Sequence, residues 1–145
     1  MTKRYSSEKD ILDLVERFEA GAIERADWKH AEHLTVALFY ISRYDPDTAM
    51  AKMRTGIFNL LRAFRLDLSK EMPYHETLTV FWMRTVSDFN AAEAESSLPD
   101  KANELVARFE KDYPLRFYSR ELLFSDKARA TFVNGDLMPP ANKQC

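Results

Sequence analysis

All three histidines of this chain lie in two short motifs, and imidazole nitrogens are common metal ligands. The first motif, WKHAEHL, spans residues 28–34, and the second, PYHET, spans residues 73–77. Neutral imidazoles and a carboxylate suit zinc, iron, nickel or manganese. Three such protein ligands and one open position are typical of a metal that acts on bound water. The sequence therefore predicts a divalent transition-metal site formed by His30, His33 and His75, with Glu76 either as a fourth ligand or as a hydrogen-bonding partner of the ligands.

The spacing of these residues limits the chemistry. His30 and His33 are three residues apart, and Thr79 stands four residues after His75, so the HExxH motif of zinc peptidases is not present. Glycine occurs only at positions 21, 56 and 135, which leaves no phosphate-binding loop. If the chain is an enzyme, metal-assisted hydrolysis or another small-molecule transformation is the expected class, with Glu76 as general base.

Two other hypotheses remain open. In the first, no metal is bound, and the histidines and Tyr74 hydrogen-bond a small organic ligand that lies among Trp28 and Trp82, with Arg129 above the pocket. In the second, the histidines are structural and an exposed aromatic face forms a homodimer. The first alternative predicts an enclosed pocket between the two histidine-bearing helix starts.

Helix signals recur along the chain and predict the elements that position these motifs. Ser7 and Asp10 have capping-box spacing, and Gly21 is a natural helix stop. Further helices are predicted from 28 to about 44, from 46 to about 64, from about 74 to 95, and from 97 onward, with shorter elements near 119 and 125. No segment alternates with the period of a strand. We expect an all-α, single-domain, bundle-like array of about five to six helices over residues 1–145, with 136–145 as an extended or frayed tail.

Helical phase predicts which way the motif residues point. With about 100° per residue, His30 falls on the apolar stripe of its helix, and His75 extends the buried row of Leu78 and Trp82 by one turn. His33 and Glu76 lie at the borders of these faces. Both motifs open their helices, and an up-down-up path would bring the two starts to one end of the bundle.

The composition of the chain limits the classes of partner that we expect it to bind. The chain has 145 residues, 46% hydrophobic and 30% charged, with a net charge of -2, which is typical of a folded globular protein. The balanced charge gives no basis for a nucleic-acid or polybasic membrane surface. Cys145 is the single cysteine, and the opening residues form no apolar signal segment. We therefore expect a cytoplasmic protein with no membrane or nucleic-acid partner.

Four phrases together resemble a family of small uncharacterised bacterial helical proteins. They are FEAG at 18–21, WKHAEHL at 28–34, YHETLT at 74–79 and YSRE at 118–121. The family pattern is a W/F-x-H-x-x-H-L helix start, a Y-H-E-T helix start and a later Y-S-x-E segment, and the likeness covers residues from about 15 to about 138. The resemblance implies a bacterial origin and a stand-alone helical domain, but no activity. The positions that it marks are His30, His33, His75, Glu76, Tyr118, Ser119 and Arg129.

Overall fold

Helices account for the regular structure of residues 4–65 and 74–137, which are the residues that the computed structural model describes. The α-helices are α1 (Glu8–Glu19), α2 (His30–Arg43), α3 (Pro46–Ala63), α4 (Glu76–Ala92), α5 (Leu98–Arg108), α6 (Arg120–Leu123) and α7 (Asp126–Ala130). Two 3-10 turns cover Arg25–Asp27 and Tyr113–Arg116. Neither described range contains a strand. The predicted all-α class is confirmed.

Serine side chains begin four of these helices. The hydroxyls of Ser7, Ser97, Ser119 and Ser125 each accept a hydrogen bond from the backbone N–H three residues later. Such bonds satisfy one of the amides that a helix leaves unpaired at its start. The predicted short elements near 119 and 125 are thus real helices, although each has only one turn.

Helix α2 is the centre of the array. It packs against α1, α3, α4 and α5. Seven consecutive residues of α2, from 34 to 40, are buried. A helix that is covered on all sides is apolar around its whole circumference rather than along one stripe. The stripe predicted from the sequence is therefore only part of the buried surface of α2.

One close helix contact depends on a glycine. A Cβ added at Gly56, in α3, would overlap the ring of Phe18, which is fully buried in α1. The ring of Trp28 stacks on the same Phe18 ring, with the centroids 5.1 Å apart. Gly56 thus lets α3 approach α1 closely, at the ring that stacks on Trp28 of the first histidine motif.

The two motif-bearing helices begin later than the sequence predicts. Residues 25–27 form a 3-10 turn and Lys29 is extended, so α2 starts at His30 rather than Trp28. His75 is also extended, so α4 starts at Glu76 rather than near Tyr74. The prediction that His75 extends the buried row of α4 by one helical turn is therefore wrong. His75 is buried, and its side chain caps the helix.

The start of the predicted tail is attached to the fold. The carboxylate of Asp136 accepts hydrogen bonds from the backbone and hydroxyl of Ser119, both at 2.7 Å, and the Leu137 amide donates to the Phe117 carbonyl. The rest of the predicted tail, with Cys145, and the predicted loop at 68–73 lie outside the described residues. No helix in the described ranges is long and apolar enough to cross a membrane.

Candidate functional site

His75 uses both of its ring nitrogens within the fold. Its Nδ1 accepts a hydrogen bond from the Leu78 amide at 3.2 Å, and its Nε2 lies 2.6 Å from the Leu123 carbonyl oxygen. A carbonyl only accepts, so Nε2 carries the proton and the ring is the neutral Nε2–H tautomer. Burial, followed by the positive charge of Arg129, lowers the pKa of His75. In this state the imidazole has no lone pair left for a metal.

Glu76 is held by two side chains from neighbouring segments. Arg54, in α3, donates through Nε at 3.1 Å and through a second, shorter contact, and the Tyr74 hydroxyl donates at 2.6 Å. Burial alone would raise the pKa of Glu76, but the hydrogen bonds from Arg54 and Tyr74 outweigh it and lower the pKa. A carboxylate stabilised in this way is a weak base. Its role here is to tie the start of α4 to α3.

His30 connects the start of α2 to the end of α5. Its Nε2 donates to the Phe109 carbonyl at 2.9 Å, and its ring lies 4.9 Å from that of Trp82. Burial lowers the pKa of His30, and the charge of Lys111 adds to this, against the hydrogen bond to Phe109. One nitrogen of this ring is thus committed to the backbone.

His33 differs from the other two histidines. Its ring is partly exposed and meets Trp28 edge-on, with the centroids 6.0 Å apart. None of the described residues forms a hydrogen bond with either ring nitrogen. Burial lowers the pKa of His33 to about 4, and the nearby His30 contributes in the same direction. At neutral pH it therefore presents one N–H donor and one acceptor nitrogen without charge.

His30, His33 and His75 line an open cleft of about 1040 Å³, and Glu76 is not part of its lining. The two helix starts supply one side, with the histidines and with Trp28, Tyr74 and Trp82. Segment 110–124 supplies the opposite side, and Ile57 and Leu61 of α3 contribute apolar surface. The two helix starts do converge on one cavity, as the alternative hypothesis expected, although the cavity is partly open rather than enclosed.

The described residues contain no cluster of three or more His, Cys, Asp or Glu side chains placed to hold a metal ion. Three of the four predicted ligands, His30, His75 and Glu76, form hydrogen bonds to different partners. His75 faces Leu123 and Glu76 faces Arg54, which leaves His33 facing the cleft. The metal site remains a prediction, and the geometry just described gives it no support.

Comparisons with known proteins assign neither a family nor a function to the chain. No protein-family model, curated protein or solved structure matches the chain significantly. The resemblance to uncharacterised bacterial helical proteins therefore stays a prediction, and the site must be interpreted from its own chemistry.

The sequence does not predict the part of the cleft lining that lies on and near α6. Arg120, Leu123 and Phe124, on and beside α6, line the cleft together with charged residues at 110–112. The serine caps predicted short helices here, but no pattern in the sequence shows where a one-turn helix docks. Of the predicted ligand-binding residues, Arg129 is not part of the lining. Its guanidinium lies 5.8 Å from the ring centroid of Phe124, which does line the cleft.

Acidification is expected to destabilise the fold through His33. The unfolded chain binds a proton near the ordinary pKa of 6.5, whereas folded His33 does so only near 4. The contribution of His33 to the free energy of unfolding is thus fully present above about pH 6.5 and is lost as the pH falls towards 4. At pH 5 the loss from this group is at most about 2 kcal/mol. His30 and His75, whose pKa values are also lowered, act in the same direction.

Urea unfolding at pH 7 and pH 5 measures this loss. The His33→Gln variant, which does not titrate, should show a smaller difference between the two pH values than the native chain. Equal stability of the native chain at both pH values would contradict the neutral state assigned to the histidines.

Proposed function

We propose that this protein is a binding module for a small, largely uncharged aromatic molecule that carries one hydrogen-bonding group, and that binding needs no metal. The observation that supports this is a cleft lined by both tryptophans and by His33, whose ring meets Trp28 edge-on and has no hydrogen bond among the described residues. Ligand pockets are commonly apolar cavities with a few convergent polar groups.

The size and charge of the cleft favour this ligand class. A volume of about 1040 Å³ lies at the upper end of the range for small-molecule sites. The charged residues of the lining have both signs: Lys29, Lys111 and Arg120 are cationic, and Glu110 and Asp112 are anionic. They therefore select for neither sign. The aromatic walls and the neutral imidazole of His33 therefore determine which ligands bind.

2-Naphthol is a suitable probe because it is planar, is uncharged at neutral pH and has one hydroxyl group. The chain has only two tryptophans, and both line the cleft, so their indole N–H resonances report occupancy directly. We expect both resonances to shift on titration with 2-naphthol. Absence of a shift in either resonance at saturating probe would refute the proposal.

His33 should determine the polar part of the affinity. His33→Leu removes the hydrogen bond, and we expect 2-naphthol to bind about fivefold more weakly, as for the loss of one neutral hydrogen bond. Naphthalene, which lacks the hydroxyl, should bind both forms equally. His33→Gln keeps a donor and an acceptor and is the matched control. Equal weakening of both probes would show that His33 acts only through shape.

A further inference from the structure

A second cleft lies on a different side of α4 from the first. Its volume is about 700 Å³, and none of its lining residues belongs to the histidine-lined cleft. Phe81 and Trp82 are neighbours in α4, with ring centroids 5.4 Å apart, yet Phe81 lines the second cleft and Trp82 the first. The aromatic residues of α4 thus separate two distinct cavities.

The wall of the second cleft is strongly aromatic. Seven of its lining residues are Phe or Tyr. Phe81 contacts Tyr113, Phe117 and Tyr118, with ring centroids 5.9, 5.5 and 6.2 Å apart. Aromatic surfaces of this kind favour planar rings in stacked or edge-to-face geometry. A flat ligand would therefore find partners on several sides.

Three guanidinium groups accompany these rings. Arg84 lies 4.5 Å from the centroid of Phe132, Arg108 lies 5.0 Å from that of Phe89, and Arg116 lies 5.3 Å from that of Tyr113. A guanidinium that stacks on a ring uses its flat face, and the N–H groups at its edge remain able to bind an oxyanion. Arginine is thus suited to bind a ring and an anion at once.

Two of the three arginines have no anionic partner among the described residues. Arg108 donates to Glu104 at 2.9 and 3.2 Å and lies 3.7 Å from a carboxylate oxygen of Glu93. Arg84 and Arg116 form no ion pair and no side-chain hydrogen bond with any described residue. Asp88 is the single acidic side chain of the described lining, and it pairs with neither of them. The cleft therefore combines an aromatic wall with unused positive charge.

We propose that this second cleft binds a small planar aromatic anion, in which a ring carries a phosphate or a carboxylate group. The ring packs against the cluster around Phe81, and the anionic oxygens accept hydrogen bonds from Arg84 and Arg116. Charge-assisted bonds to guanidinium are about twice as strong as neutral ones and are often bidentate. The site differs from the first cleft in selecting for negative charge.

Calorimetric titration at low ionic strength tests this ligand class on the native chain. Phenyl phosphate and benzoate represent the two anionic groups, benzyl alcohol has the ring alone, and inorganic phosphate has the charge alone. We expect phenyl phosphate or benzoate to bind at least about tenfold more tightly than either partial probe. Equal affinity for inorganic phosphate would show a simple charge patch, and equal affinity for benzyl alcohol would show an apolar site. Either result would overturn the proposal.

Arginine variants locate the site. Arg84→Gln and Arg116→Gln should each weaken the tighter anion about tenfold, as expected for one charge-assisted hydrogen bond. Arg17→Gln is the control, since Arg17 is exposed on α1 and lines neither cleft. Thermal melting verifies that each variant is folded. Native affinity in both folded variants would overturn the proposal, and should a variant not fold, the probe comparison on the native chain still decides.

Discussion

Replacing His75 by alanine is expected to lower the free energy of unfolding by about 2–4 kcal/mol, the sum of two losses. The helix α4 loses the cap that His75 provides to Leu78, which is typically worth about 1 kcal/mol. The Leu123 carbonyl loses the partner that it has at 2.6 Å, and an unsatisfied buried acceptor costs about 1–3 kcal/mol. Urea denaturation measures the total.

The two contributions can be separated with a second variant. Asparagine is a preferred N-cap residue, so His75→Asn should keep the cap and lose only the bond to Leu123. Hydrogen exchange should show faster opening of residues 118–131 in both variants, because this bond holds α6 beside α4. A loss below about 0.5 kcal/mol for His75→Ala, within the range of surface substitutions, would contradict the structural role of His75.

Gly56→Ala is expected to destabilise the fold by about 1–3 kcal/mol, the usual cost of overpacking a core. At an unconstrained helix position the same change stabilises by about 1 kcal/mol, so the sign of the effect is informative. The added methyl group would overlap the ring of Phe18, which has no free space because it is fully buried and stacks on Trp28. The displaced ring should also alter the fluorescence of Trp28.

Two controls distinguish this clash from a general effect on α3. Thr55→Ala changes the exposed neighbouring position and should leave stability nearly unchanged or slightly raised. Phe18→Leu reduces the ring that would be struck, so the Gly56→Ala/Phe18→Leu double variant should be less destabilised than the sum of its single variants. A stabilising effect of Gly56→Ala would show that α1 and α3 are further apart than described.

Local sequence signals predicted the helices well because capping chemistry is local. Ser7, Ser97, Ser119 and Ser125 each satisfy amides within one turn, so spacing along the chain was enough to place them. The position of His75 was predicted wrongly because its residue type gives no local capping signal. Histidine is not a preferred cap, so helical phase put it inside α4, whereas its ring nitrogen begins the helix.

The candidate site was predictable only in part. Trp28, Tyr74 and Trp82, which the sequence predicts as ligand-binding residues, line one cavity, because both motifs stand at the starts of helices that pack together. The sequence could not show that Arg54 pairs with Glu76 across two helices, since tertiary partners leave no spacing signal. Nor could it show that Nε2 of His75 donates a hydrogen bond to the Leu123 carbonyl and is therefore not free to bind a metal.

A metal-free ligand site is tested most directly by following the two tryptophan indole N–H resonances during titration with 2-naphthol, once with a chelator and once with added zinc. We expect both resonances to shift with the same affinity under both conditions, because the histidines are neutral hydrogen-bonding groups. Zinc alone should leave the resonances unchanged. Probe binding that appears only when zinc is present, or no shift under either condition, would contradict a metal-free ligand site in the cleft.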